Sequence, residues 1–207
     1  MLAKNAKLIQ IRSFYMGRYS EYFQDIWKLQ ANRKVIGIGL FNVIVDNSKV
    51  FTPGDTLVPL AGADQAIQVL SKKGYDFILI TGQPALRTKT LEIQDFENII
   101  TGAREFITQL GGRLRNAYYA PGTDKNDPYV KPNAGMLERA QNENNFKWAD
   151  TYFVGSETND VKMSSKVKAN PVLIKTAGTE SKLKAFELTH QIKVQEYSNL
   201  LDFANTL

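Results

Sequence analysis

An α/β fold, with a mostly parallel sheet covered by helices on both faces, is the class this sequence predicts, and three observations predict it. Short apolar runs of strand length recur from Lys34 onward: KVIGIGLFNVIVD from Lys34 to Asp46, FILI from Phe77 to Ile80, then Ala117 to Ala120, Tyr152 to Val154 and Val172 to Lys175. Segments with helical spacing lie between them, and strands that alternate with helices of this length imply right-handed crossovers and parallel pairing. Glycines at 74, 111 and 112 stop the helical segments where the next strand must begin.

Each element follows from its own pattern. The run from Lys34 to Asp46 is apolar at nearly every position, which reads as a first strand buried on both faces. Ala63, Ala66, Ile67 and Leu70 share one helical face ahead of Gly74. Phe96, Ile99, Ile100, Ala103, Phe106, Ile107 and Leu110 keep the same spacing up to Gly111. Asn133 to Glu143 reads as a further helix, Gln191 to Val194 as an edge strand, and Leu200 to Leu207 as a closing helix.

A chain of 207 residues suits one domain of ordinary size with a short appendage. Hydrophobic residues at 43% and charged residues at 23% match a globular chain, which excludes wholesale disorder. The sequence shows no spanning run and no secretory signal, so no membrane span is expected. Zero cysteine excludes disulfides and thiolate metal sites and accords with a cytoplasmic or other reducing compartment.

The net charge of +5 is localised. Residues 1 to 34 hold seven basic residues against Glu21 and Asp25, and the remainder is balanced. Tyr19, Tyr22, Phe23, Ile26 and Trp27 recur at the spacing of one helical face behind a candidate N-cap at Ser20. Residues 1–33 therefore read as a basic, aromatic N-terminal helical extension and residues 34–207 as the α/β domain. Arg18, Tyr19, Tyr22, Phe23 and Trp27 are the candidate interface. Three uses of this segment stay open: packing on its own domain or a sister subunit, docking to another protein, and binding nucleic acid or an anionic surface. No nucleic-acid motif favours the last.

In a parallel sheet the ligand lies outside the carboxyl ends of the strands, so residues just after each strand decide function. Four such ends stand out: the Gly39 to Phe41 turn, Ile80-Thr81-Gly82-Gln83, YYAPGTDKNDPYVKPNAGM from Tyr118 to Met136, and Val154-Gly155-Ser156-Glu157-Thr158-Asn159-Asp160. In order and spacing they resemble the four motifs of the haloacid dehalogenase (HAD) superfamily, in the branch containing D-glycero-D-manno-heptose 1,7-bisphosphate phosphatase and the histidinol-phosphatase domain. The resemblance covers about Lys34 to Gly178 and implies a Rossmann-like fold.

The resemblance also implies what the chemistry requires. The family's first motif, Asp-x-Asp, supplies a nucleophile that forms an aspartyl-phosphate and an acid that shuttles the proton. Gly39 and Phe41 stand at those places and can do neither. Magnesium would lose the first-motif carboxylate and, through Ser156, one from the fourth motif, leaving Asp160. Thr81 and Lys131 stand where the family binds phosphate, although Thr81 also suits a turn cap and Lys131 an ion pair with Asp160. The branch's zinc loop is absent, with Ala120 and Gly122 where Cys and His would be.

One other alignment uses Asp46, at the end of the same apolar run, as nucleophile. Gly39 to Thr81 spans 42 residues, close to the family's separation, whereas Asp46 leaves 35. His190 is the single histidine and reads as structural, and the GTDKND stretch reads as a solvated turn. The expectation is thus a catalytically inactive HAD-like protein, without a cofactor, acting as a binding or structural subunit of a larger assembly. Its protein partner, or its own second copy, would be met through the N-terminal extension. The alternatives are an active magnesium-dependent phosphatase using Asp46 and Asp160, and a phospho-ligand sensor that does not hydrolyse.

Overall fold

Strand β1 (Lys34–Gly39) is followed by helix α1 (Ala63–Lys72), β2 (Tyr75–Gly82), α2 (Ile93–Gln109), β3 (Leu114–Ala120) and α3 (Gly135–Asn144). Then come β4 (Tyr152–Gly155), α4 (Thr158–Lys166), β5 (Asn170–Ile174), β6 (Gln195–Tyr197) and α5 (Leu200–Thr206). The structure is a computed structural model and describes residues 33–46, 57–176, 183–184, 186–187 and 192–207. Ser20, the five candidate interface residues and His190 lie outside these.

The strands form one sheet in the order β3-β2-β1-β4-β5-β6, and every neighbouring pair is parallel. Residues Lys34–Leu207 form one compact unit. The order reverses beside β1, which is where a ligand crevice is expected in a sheet of this kind.

Alternation along the central strands divides the core. Ile36, Ile38, Phe77 and Leu79 join one layer with Leu70, Ile107 and Phe203. Val35, Ile78 and Ile80 join the other with Leu137, Trp148 and Phe153. Gly37 explains how that second layer closes, because a Cβ there would lie 2.6 Å from the Trp148 ring and 2.7 Å from Phe153. Burial of the strands on both faces is why their sequences run almost wholly apolar.

Several boundaries shift by two or three residues, and two differences from the sequence reading change what a segment does. The first strand ends at Gly39, not Asp46: the amides of Ile44 and Val45 both donate to the Leu40 carbonyl, and Asn42 adopts φ 59, a conformation asparagine tolerates better than most residues. Val43, Ile44 and Val45 are nevertheless buried, so the hydrophobic run continues through a loop folded into the core. The edge strand is Gln195–Tyr197, aligned with Val172 to Ile174, rather than Gln191 to Val194. Val194 is buried beside Leu173 and Val161, so its apolar character reflects packing rather than ladder pairing.

Candidate functional site

The carboxyl ends of β1, β2, β3 and β4 surround a cleft of about 480 Å³. Gly39 and Phe41 come from the turn after β1, Thr81, Gly82 and Gln83 from the end of β2, Lys125 and Lys131 from the loop after β3, and Ser156, Glu157 and Asp160 from the start of α4. The strand-end residues that sequence reasoning singled out therefore meet in one place, apart from Asp46. That residue follows the folded-in loop, its amide donates to the Val58 carbonyl at 3.4 Å, and it is not part of the cleft lining.

Lys131 and Asp160 form the site's electrostatic centre. Lys131 Nζ lies 2.5 Å from Asp160 Oδ1, and both side chains are largely buried. Burial works against the ammonium, but the Asp160 carboxylate, with Glu157 beyond it, outweighs that penalty and holds the lysine pKa above its usual range. The other oxygen, Asp160 Oδ2, accepts from the amides of Ser156 at 3.0 Å and Glu157 at 3.1 Å. Glu157 in turn accepts from the Asp160 amide, closing a capping box at the α4 N-terminus. Gly155 is required there, since any Cβ would overlap the Asp160 side chain.

Around this pair the site is mainly uncharged. Thr81 is buried, and its hydroxyl makes a long 3.4 Å contact to the Gly82 carbonyl. Ser156 Oγ donates to the Phe41 carbonyl at 3.3 Å. Phe41 is half-buried: it lines the cleft and also packs against the core layer of Ile36 and Leu79. At the mouth, Asp124 accepts from the Asn126 amide and Asp127 from the Tyr129 amide, so the GTDKND stretch is a pair of carboxylate-capped turns.

The donors present do not fit magnesium. This hard cation calls for a near-octahedral oxygen shell with one or two carboxylates free to bind it. Asp160 has one oxygen on an ammonium and the other on two amides, Gly39 supplies no side chain, and Ser156 is a neutral hydroxyl. Among the described residues no group of three His, Cys, Asp or Glu side chains gathers as a metal site. What the arrangement can do is hold an anion through Lys131 and position it with neutral polar groups.

Gln83 went unread as a side chain, although it directly follows β2 and the strand-end rule reaches it. It is 9% exposed and lines the cleft.

A fully parallel sheet with its cleft at the strand ends, entered by a lysine from one loop and an aspartate from the next helix, defines a Rossmann-like α/β domain. The chain belongs to the haloacid dehalogenase-like hydrolase family, which it matches over residues 3–167. The match begins well before the first strand-end motif.

Among its relatives is the D-glycero-beta-D-manno-heptose-1,7-bisphosphate 7-phosphatase of Neisseria meningitidis serogroup A, 24% identical over 151 residues that cover 72% of this chain and 81% of the relative. The enzyme of that name from Pseudomonas putida is 29% identical over 127 residues, 61% of this chain and 73% of the relative. The fold is similar to that of the D,D-heptose 1.7-bisphosphate phosphatase from B. bronchiseptica, solved with magnesium and phosphate. The TM-score is 0.69 at 19% identity, over 84% of this chain and 97% of that one. Among the described residues no helix is long and apolar enough to cross a membrane.

Proposed function

We propose that this chain is a non-hydrolysing member of its family, a binding or structural subunit whose cleft keeps an anion site. One observation carries the reading: the strand end that must present the nucleophile presents Gly39, while the deepest carboxylate in the cleft, Asp160, is engaged by Lys131 and two amides. A general acid alone is worth about 100- to 10,000-fold in rate, and Phe41 removes it together with the covalent route. Binding to a protein partner or a second copy falls to Arg18, Tyr19, Tyr22, Phe23 and Trp27.

A second reading draws on the relatives, whose names are those of phosphatases. On it the chain hydrolyses phosphate esters with Asp46 and Asp160 around magnesium. One assay separates the two. Full-length protein with magnesium is incubated with sugar monophosphates and bisphosphates, and phosphate release is compared with buffer. The proposal expects none. Release that disappears in Asp46→Asn installs the second reading instead.

A further inference from the structure

All neighbouring strands are parallel, so the six amino ends lie along one edge of the sheet, opposite the cleft. Each strand is entered through a basic residue. In the spatial order β3-β2-β1-β4-β5-β6 these are Arg113, Lys73, Lys34, Lys147, Lys168 and Lys193, and every one of them is exposed. With neighbouring strands about 4.8 Å apart, the row spreads over about 24 Å. Residues 35–207 carry as many acidic as basic side chains, so it is the fold that gathers this charge.

Most carboxylates at the same edge are engaged. Asp76 is buried with Arg115 at 2.8 Å and Arg113 at 4.0 Å, Glu143 is held by Arg139 at 2.7 Å, and Glu187 accepts from the Val194 amide at 2.9 Å. Asp150 and Glu196 are exposed. Lys73 donates to the Ala204 carbonyl at 3.0 Å. The ammonium groups of Lys72, Lys147 and Lys168 have no hydrogen bond or ion pair among the described residues.

The chemistry of the row favours a diffuse anionic surface over a nucleic acid. Lysine is a hydrated point charge, whereas arginine supplies the planar fork that nucleic-acid recognition exploits, and five of the six residues are lysines. Strand-binding grooves also offer aromatic side chains to the bases. The exposed large apolar residues, Val58, Ile93, Tyr119 and Tyr129, belong to segments at the carboxyl ends of the strands. Residues 1–32, which precede Arg33 in the chain, hold the rest of the positive charge and the aromatic run from Tyr19 to Trp27. A basic segment with aromatic residues at helical spacing has the composition of segments that lie on anionic membranes.

We propose that the amino-end edge of the sheet is a docking surface for an anionic lipid bilayer, with the lysines that enter β2, β4 and β5 facing the headgroups and the cleft turned away from them. The proposal is independent of whether the chain hydrolyses phosphate esters.

The test is cosedimentation of the full chain with phosphatidylcholine vesicles, alone or with about one third phosphatidylserine, at an ionic strength of about 0.1 M. Binding should appear with the anionic vesicles alone. Each ammonium near such a surface is worth about fivefold in affinity, so Lys72→Gln, Lys147→Gln and Lys168→Gln together should weaken binding about a hundredfold. A control with the same charge removed at the carboxyl end combines Arg87→Gln, Lys89→Gln and Lys175→Gln. The eight residues of β2 span about 26 Å, well beyond the screening length of about 10 Å, so the control should change binding by about threefold or less. Equal sedimentation with the two kinds of vesicle, a lysine variant that binds as the unaltered chain does, or a control that loses as much overturns the proposal. So does a single-stranded oligonucleotide that strips the chain from the vesicles at an equal concentration of anionic charge, which assigns the edge to nucleic acid. A lysine variant without a cooperative thermal transition overturns it as well, because side chains free for lipid cannot be holding the domain together.

Discussion

Asp160 holds three things at once: the Lys131 ammonium on one oxygen, and the Ser156 and Glu157 amides on the other. Such a carboxylate cannot be neutralised without leaving a buried ammonium exposed to a medium that solvates it poorly, and breaking one side of a buried pair typically costs about 3 kcal/mol. Asp160→Asn should therefore lower stability by roughly that amount, a fall of about 10 °C in thermal midpoint for a domain of this size. An unchanged midpoint in a thermal melt would mean that the pair is solvated and that the cleft is wetter than its burial indicates. Asp76 offers a contrast. It is fully buried at the opposite end of the sheet, with Arg115 2.8 Å away, so it reads as structural.

At the scale of elements, β1 and the loop after it decide the site. Gly37 lets Trp148 and Phe153 lie directly on the strand, and Trp148 anchors the layer by donating from Nε1 to the Leu137 carbonyl at 2.7 Å. Gly37→Ala should cost about 1–3 kcal/mol through overpacking, read as a lower denaturant midpoint without a change of slope. A neutral result would show that the Trp148 ring can shift and that the layer is loosely packed. Beyond Gly39 the chain turns at Asn42 and buries Val43, Ile44 and Val45. That turn sets Phe41 between the core layer and the cleft wall and leaves Asp46 outside the cleft lining. Apolar periodicity could not separate strand from loop here, because burial alone makes both read alike.

For the whole molecule, the basic aromatic segment and the α/β unit carry separate roles on the proposed reading. Deleting residues 1–32 should leave a cooperative thermal transition and abolish self-association or partner binding, as followed by circular dichroism and sedimentation velocity. A truncated chain without a transition would make the segment part of the domain's own core. The sequence by itself determined the class of fold, the family and most of the cleft, because parallel strands buried on both faces advertise themselves as apolar runs and their carboxyl ends fall at readable positions. It thus brought Gly39, Thr81, Lys131, Ser156 and Asp160 to one edge of one sheet. The tertiary structure alone decided what these residues do to one another. Sequence left Lys131 open both to phosphate and to Asp160, and only packing at 2.5 Å shows the ammonium already partnered. Sequence allowed Asp46 to serve as nucleophile, and only the path of the loop after β1 leaves it outside the cleft lining.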